Sequence, residues 1–293
     1  MSDFLRKFGV TKSAVQDRLS SAHNESHSQP PPSYQRPPPL LPYWTADFNA
    51  ASSVSREWRH ELGDNGWGNN ELQNYTDTTR NSFFSADEQG RQCLVLRAIA
   101  DDTHLTSARL TSRMTLGRDR GYLSARITAP SARGIWPAFW LLPEEPFSWP
   151  TDGEVDIMES WNGERTNHSC LHWGHYNGPD HDKHRVVQTP VSSLDQSIGI
   201  QYGFAWDQSS GKLLWYIHGR PVMRAKIPAG TRKMADFQIK LNIAMGGNVV
   251  QGQRPQNGTY DMVVHEVGMF EGPPGGWSTF ENHWHSTPEG HTI

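Results

Sequence analysis

Cysteine is nearly missing from this chain: Cys93 and Cys170 are the only two in 293 residues. They are far apart and lack metal-ligand spacing, so the sequence excludes both a disulfide-stapled scaffold and a cysteine-rich zinc module. Both sit in apolar, strand-like runs and read as buried free thiols. Excess positive charge is lacking as well. Charged residues are 20% of the chain and the formal net charge is -4, which leaves no basic footprint for nucleic acid. No apolar run approaches the ~18 to 20 residues of a membrane-spanning helix. Met1 to Glu25 carries Arg6, Lys7, Lys12 and Arg18 without the apolar core of a secretory signal. The expectation is a soluble, monomeric chain, cytoplasmic or exported by an unconventional route, and extracellular or in the cell wall if the N-terminus is misassigned. A long helical period and a repeat of 20 to 50 residues are absent too.

What is present in unusual amount is tryptophan, twelve residues, beside 26 Gly and 20 Pro. Aromatics among many turn-formers suggest an all-β protein with a concave surface, since indole faces suit the apolar C–H faces of sugar rings. Any single Trp is more often core. Short strand-like runs recur between turn signals from Cys93–Ala98 through Ala108–Met114, Gly121–Ala129, Ala138–Leu142, Glu154–Trp161, Ser169–Gly174, Ile200–Trp206, Leu213–His218 and Gln238–Ala244 to Tyr260–Phe270. Such spacing predicts two antiparallel sheets packed as a sandwich. Residues 1–40 read as a polar, Pro-rich tail. Phe4, Leu5, Phe8, Val15 and Leu19 mark a short amphipathic helix there, and Pro30–Pro32 with Pro37–Pro39 mark a polyproline-like spacer or an SH3 or WW ligand. The globular domain is expected over 41–271, and the Gly/Pro/His-rich stretch 272–293 is expected to be a loosely packed tail.

The chemistry concentrates in Gly153–Ser160, where Glu154, Asp156 and Glu159 interrupt apolar residues. Strand alternation puts Glu154 and Asp156 on one face and leaves Glu159 on the other. One extra residue at Ile157-Met158, a β-bulge, restores Glu159 to their face. The two glutamates are then effectively four positions apart, roughly 13 Å between Cα atoms at about 3.3 Å per residue. Side chains leaning together bring the carboxyl groups toward the ~5 to 5.5 Å of a retaining glycosidase pair. Asp156 between them couples their protons, because three adjacent carboxylates cannot all ionise cheaply. An exposed acidic strand face fits the same three letters, and taken alone it is the commoner fate of such a pattern.

The surroundings favour the sugar-chemistry reading. Gly66–Thr76 is polar and aromatic; Gly134–Leu142 places Trp136, Ala138 and Trp140 on one strand face; His172 follows the acids by one turn and strand. In order along roughly residues 44–271 come N-N-E-L-Q at 69–73, T-S-A-R-L at 106–110, G-I-W-P-A-F-W-L-L at 134–142, G-E-V-D-I-M-E at 153–159, H-W-G at 172–174 and L-N-I-A-M-G-G at 241–247. This ordered set resembles glycoside hydrolase family 16, and within it the laminarinase-like endo-β-1,3(4)-glucanases. The resemblance implies a concanavalin A-like β-jelly-roll sandwich of two antiparallel sheets with a concave cleft, and retaining hydrolysis of a β-glucan polysaccharide or oligosaccharide. It further implies Glu154 as nucleophile, Asp156 as assisting acid and Glu159 as general acid/base. By the same resemblance His172 lies near the reaction centre, Trp136 and Trp140 in the substrate cleft, and Asn70 and Glu71 at its loop rim. Tyr122 stands where relatives commonly carry a sugar-contacting Arg, and Val249–Gly252 replaces an aromatic Trp-Pro-Gly. His265 stands where many relatives have an Asp that helps hold a structural Ca²⁺, so that ion is only weakly implied; the chemistry requires no cofactor. A transglycosylase on the same substrates and a non-catalytic β-glucan-binding protein are the alternatives.

Overall fold

The computed structural model describes residues 41–175, 177–192 and 199–292. The amphipathic and Pro-rich segments expected in residues 1–40 lie outside the described residues. In chain order the described strands are β1 (Pro42–Thr45), β2 (Trp58–His60), β3 (Asn74–Tyr75), β4 (Ser82–Ala86), β5 (Gln92–Ala100), β6 (Leu105–Ser107), β7 (Arg109–Thr115), β8 (Arg120–Thr128) and β9 (Ile135–Pro143). They continue as β10 (Glu154–Glu159), β11 (Thr166–His172), β12 (His184–Pro190), β13 (Ile200–Asp207), β14 (Lys212–Ile217), β15 (Arg220–Lys226), β16 (Phe237–Met245) and β17 (Gly258–Phe270).

Two sheets result, antiparallel except for the short β3–β6 pair. One runs β12-β11-β10-β9-β16-β7-β2; the other runs β15-β14-β13-β8-β17-β5-β6-β3, with β1 against β17 and β4 against β5. Alternation explains the core between them. Phe139 and Leu141 of β9, Val155 and Met158 of β10 and Ile239, Leu241 and Ile243 of β16 face Leu94, Leu96, Leu123, Ile127, Phe204, Trp215 and Val264 of the other sheet. The opposite faces of β9, β10 and β16 carry the polar and aromatic residues of the cleft. This is the sandwich that the strand spacing predicted.

The stretch after Glu271, expected to be a loose tail, is instead built into the sandwich. Gly276–Ser286 forms α1, which seats Phe280, fully buried, with Trp277 and Trp284 on the outer face of β8, β13 and β14 against Tyr122, Ala205, Leu214 and Tyr216. Beyond α1 the chain ties two edge strands. Arg224 N–H donates to Pro288 O at 3.0 Å and Val186 N–H donates to His291 O at 2.8 Å. Covering the exposed edges of β15 and β12 in this way satisfies their backbone groups.

Candidate active site

The acidic strand is bulged where alternation demanded it. β10 pairs with β9 as Asp156↔Trp140 and Met158↔Phe139, leaving Ile157 as the extra residue, and Glu159 then sits opposite Ala138. Ile157 packs into the core beside Val155 and Met158. Glu154, Asp156 and Glu159 all face the cleft, where both glutamates line the cavity. A bulge strands backbone carbonyls, and two buried side chains take them up. The Trp215 indole from the opposite sheet donates to Asp156 O at 2.9 Å, and the Asn167 amide donates to Ile157 O at 3.3 Å. The core thereby fixes the acids' spacing.

Each glutamate receives an indole N–H. Trp136 donates to Glu159 at 2.9 Å, and Trp149, from the loop before β10, donates to Glu154. On β11, His172 lies directly opposite Glu154 and Cys170 directly opposite Asp156. His172 Nε2 is 3.1 Å from Cys170 Sγ and 3.4 Å from Asp156 Oδ2. Burial, and then the charge of Asp156, push the Glu154 carboxyl up to about 8, while His172 and the Trp149 indole favour its charged form. Glu159 is pushed well above the usual carboxylate range by burial, then by Asp156 and Glu154. For His172 burial works against the imidazolium, but hydrogen bonding to Asp156 and Cys170 outweighs it and holds the ring well above its ordinary value.

Two lobes of the cleft meet at these acids. A lobe of 630 Å³ is walled by Trp161, His168, His172, Trp173 and His184, and a lobe of 340 Å³ by Trp67, Glu71, Arg109, Trp140 and Asn242. Both reach Asn69, Trp136, Trp149, Glu154 and Glu159. Trp161 is braced by stacking on His168 at 3.7 Å. Arg109 lies between the Trp67 and Trp140 rings, 4.7 and 4.8 Å from their centroids, and is anchored by Glu61.

Of the residues expected in the cleft, Glu154, Asp156, Glu159, Trp136, Trp140 and His172 are brought together there. Glu71 lines the smaller lobe, but as a buried floor residue rather than at the rim: Gln73 and Tyr75 donate to its carboxylate at 2.7 and 3.0 Å. Asn70 adopts a left-handed φ of 56° and ties its amide to Asn248 at 2.9 Å, so Asn69 takes the cleft position beside it. Tyr122 is not in the cleft. It belongs to the other sheet, where Gly121, Leu123 and Ala125 face inward and Tyr122 faces α1, buried with its ring against Gly203. Trp149, Trp161 and Arg109 are among the cleft residues that sequence reading missed, and Trp67 falls in the polar, aromatic run Gly66–Thr76 without having been picked out individually. For Arg109 a signal existed, since alternation along β7 puts it opposite Leu110, a core residue.

The side chains around His265 do not fit Ca²⁺. Its Nε2 shares a hydrogen bond with Thr128 Oγ1 at 2.9 Å and its Nδ1 is 3.7 Å from Asp87, whose carboxylate is already engaged by Arg91 and by backbone amides. An imidazole and a guanidinium stand where a hard cation needs oxygen.

Carboxyl groups paired along one strand in the cleft on the outer face of a jelly-roll sandwich define a polysaccharide-cleaving glycosidase. The family model for the XgeA-like, catalytic GH16 domain matches residues 64–202. The chain is 31% identical over 232 residues to the glucan endo-1,3-beta-glucosidase of Cryptopygus antarcticus, covering 72% of this chain and 82% of that protein. It is 30% identical over 217 residues to the clotting factor G alpha subunit of Tachypleus tridentatus, covering 70% of this chain but only 30% of that longer protein. The solved endo-1,3-beta-glucanase of Streptomyces sioyaensis superposes with a TM-score of 0.67 at 26% identity, over 80% of this chain and 97% of that one. The chain belongs to glycoside hydrolase family 16.

Proposed function

We propose that this protein is an endo-acting, retaining β-glucanase that cuts internal β-1,3 linkages, in plain β-1,3-glucan or in mixed β-1,3/1,4 chains. The observation that carries the reading is the position of Glu154 and Glu159 at the junction of two aromatic-lined lobes. A glucan lying through both lobes places an internal bond over the acids. The names of the glucan endo-1,3-beta-glucosidase and endo-1,3-beta-glucanase relatives support the linkage.

Glu159, the acid held well above its ordinary range, protonates the leaving glycosidic oxygen. Glu154 attacks the anomeric carbon and forms a covalent glycosyl-enzyme; His172 lies directly across from it and favours its charged form. Deprotonated Glu159 then takes a proton from water, which releases the sugar with retained configuration. Asp156, buried between the two, supplies the negative charge that helps keep the proton on Glu159 before the first displacement. Two carboxyl groups complete this chemistry without a metal.

Reducing-sugar release from laminarin, mixed-linkage glucan, agarose and xyloglucan tests the proposal, with Glu154→Gln as control. Release from laminarin as a ladder of oligosaccharides, with the variant still binding laminarin but turning over about three orders of magnitude more slowly or worse, is expected. Laminarin bound but uncut by the wild type would overturn the catalytic reading in favour of a binding protein, and products longer than the starting oligosaccharide would assign transglycosylation.

A further inference from the structure

Cys170 and His172 are two residues apart on β11, so both face the cleft side, and Asp156 stands directly across from Cys170. Among the described residues this is the group of three such side chains whose ligand atoms lie within 4.8 Å of one another. The separations of 3.1 Å between Sγ and Nε2 and 3.4 Å between Nε2 and Oδ2 compare with about 3.5 and 3.3 Å for neighbouring ligands of a tetrahedral zinc ion. A second observation points to a ligand. Asp156 is 2% exposed, and its Oδ2 has only a long, poorly aligned contact with His172 Nε2 at 3.4 Å. One imidazole N–H cannot satisfy both the thiol and that oxygen; a shared cation can.

We propose that Asp156, Cys170 and His172 form a binding site for a borderline divalent cation of the zinc class, and that its occupation switches the cleft off. The thiolate and imidazole select zinc, cobalt or copper over Ca²⁺ or Mg²⁺. The open coordination position faces the cleft, where Glu154 lies opposite His172. Binding sends the thiol and imidazole protons to solvent. It also pins Asp156 and His172, which the double displacement uses, and blocks the approach of sugar to Glu154. The inhibitory part rests on the glucanase reading; the metal site does not.

The test is a cobalt(II) titration of the purified full chain, followed by the cobalt-thiolate charge-transfer absorption in the near ultraviolet, which surface histidines do not produce. A saturable band, displaced by zinc, retained in Cys93→Ser and lost in Cys170→Ser, is expected. In parallel, the zinc concentration that halves laminarin hydrolysis, each protein being measured against its own metal-free rate, should rise by about tenfold or more in Cys170→Ser. Absence of the band in wild type, its survival in Cys170→Ser, or equal zinc sensitivity in the two proteins would overturn the proposal. A band in a protein that cuts no glucan would leave the site standing and remove the glucanase reading; hydrolysis without a band would do the reverse.

Discussion

Glu61 gives the sharpest test of how the cleft is held together. Its side chain, 12% exposed, accepts from Arg109, Lys240 and Thr111 under the floor of the smaller lobe. Burial alone would raise its carboxyl, but the charges of Arg109 and Lys240, with hydrogen bonds from Lys240 and Thr111, overcome that and bring it down from 4.5 to about 2. A group depressed on folding contributes stability that is fully present above its unfolded value, near 4.5, and lost as pH falls through about 2. At 1.36 kcal/mol for each pH unit of separation the contribution is at most about 3.4 kcal/mol. Lys240 is itself held below its ordinary value, chiefly by burial, so the pair as a whole is worth less than that. Lys240 stays charged throughout the acid range, however, and the acid window isolates Glu61.

The assay is urea unfolding of wild type and Glu61→Gln at a series of pH values. At pH 7 the variant should be less stable by about 3 to 5 kcal/mol, because Arg109 and Lys240 are left buried without their partner. The gap should close by about 2 to 3 kcal/mol as pH falls from about 5 toward 2. Parallel stability curves across that range would refute the reasoning. Arg109 also loses the anchor that holds it between Trp67 and Trp140. The same variant should therefore bind laminarin oligosaccharides more weakly at pH 7.

His172→Gln removes the imidazolium opposite Glu154, whose charge favours the ionised carboxylate, so the acid limb of kcat/KM should move to higher pH. Loss of one neighbouring opposite charge should move the limb by roughly one pH unit, about 1.4 kcal/mol; a fixed or acid-shifted limb would exclude the assignment. Phe280→Ala empties the fully buried anchor of α1 and should cost about 3 to 5 kcal/mol by chemical denaturation, with kcat/KM unchanged at a temperature where the variant is folded. Trp215→Phe removes the donor to Asp156 O while keeping most of the ring's volume; a stability loss of about 1 to 3 kcal/mol is expected, with a fall in kcat larger than the change in KM.

The acidic strand was legible because it breaks a rule in a single way. Acids at 154, 156 and 159 cannot share a face of a regular strand, the intervening residues belong in a core, and one bulge resolves both facts. The strands were legible for the related reason that core-facing alternation is local. Tyr122 was misplaced because likeness of short motifs was allowed to override that alternation: Gly121, Leu123 and Ala125 already claim the inner face of β8, so Tyr122 must point outward. What covers it there was harder to see. Pro273, Pro274 and Gly275 announce a loop, and α1 begins immediately after them at Gly276. The signal was Trp277, Phe280 and Trp284, spaced at i, i+3 and i+7 as one apolar helix stripe. Trp149 and Trp161 left no such trace. They reach the cleft from loops, where position depends on how the chain folds back and not on any period.

Active sites commonly hold groups that the fold would be more stable without, but the bulge at Ile157 serves both demands at once. Were β10 regular through Ile157, with no bulge, Glu159 would turn inward among Phe139, Leu241 and the other apolar side chains between the sheets, where an unpaired carboxyl group has no compensation. Met158 would turn outward in its place. The register that keeps acid out of the core is therefore the register that sets Glu159 on the same face as Glu154. The donors that offset the bulge's cost, Trp215 and Asn167, are themselves buried between or within the sheets, so the catalytic spacing is tied to the packed core. Selection for a folded sandwich and selection for a correctly spaced pair of carboxyl groups act here on one residue in the same direction.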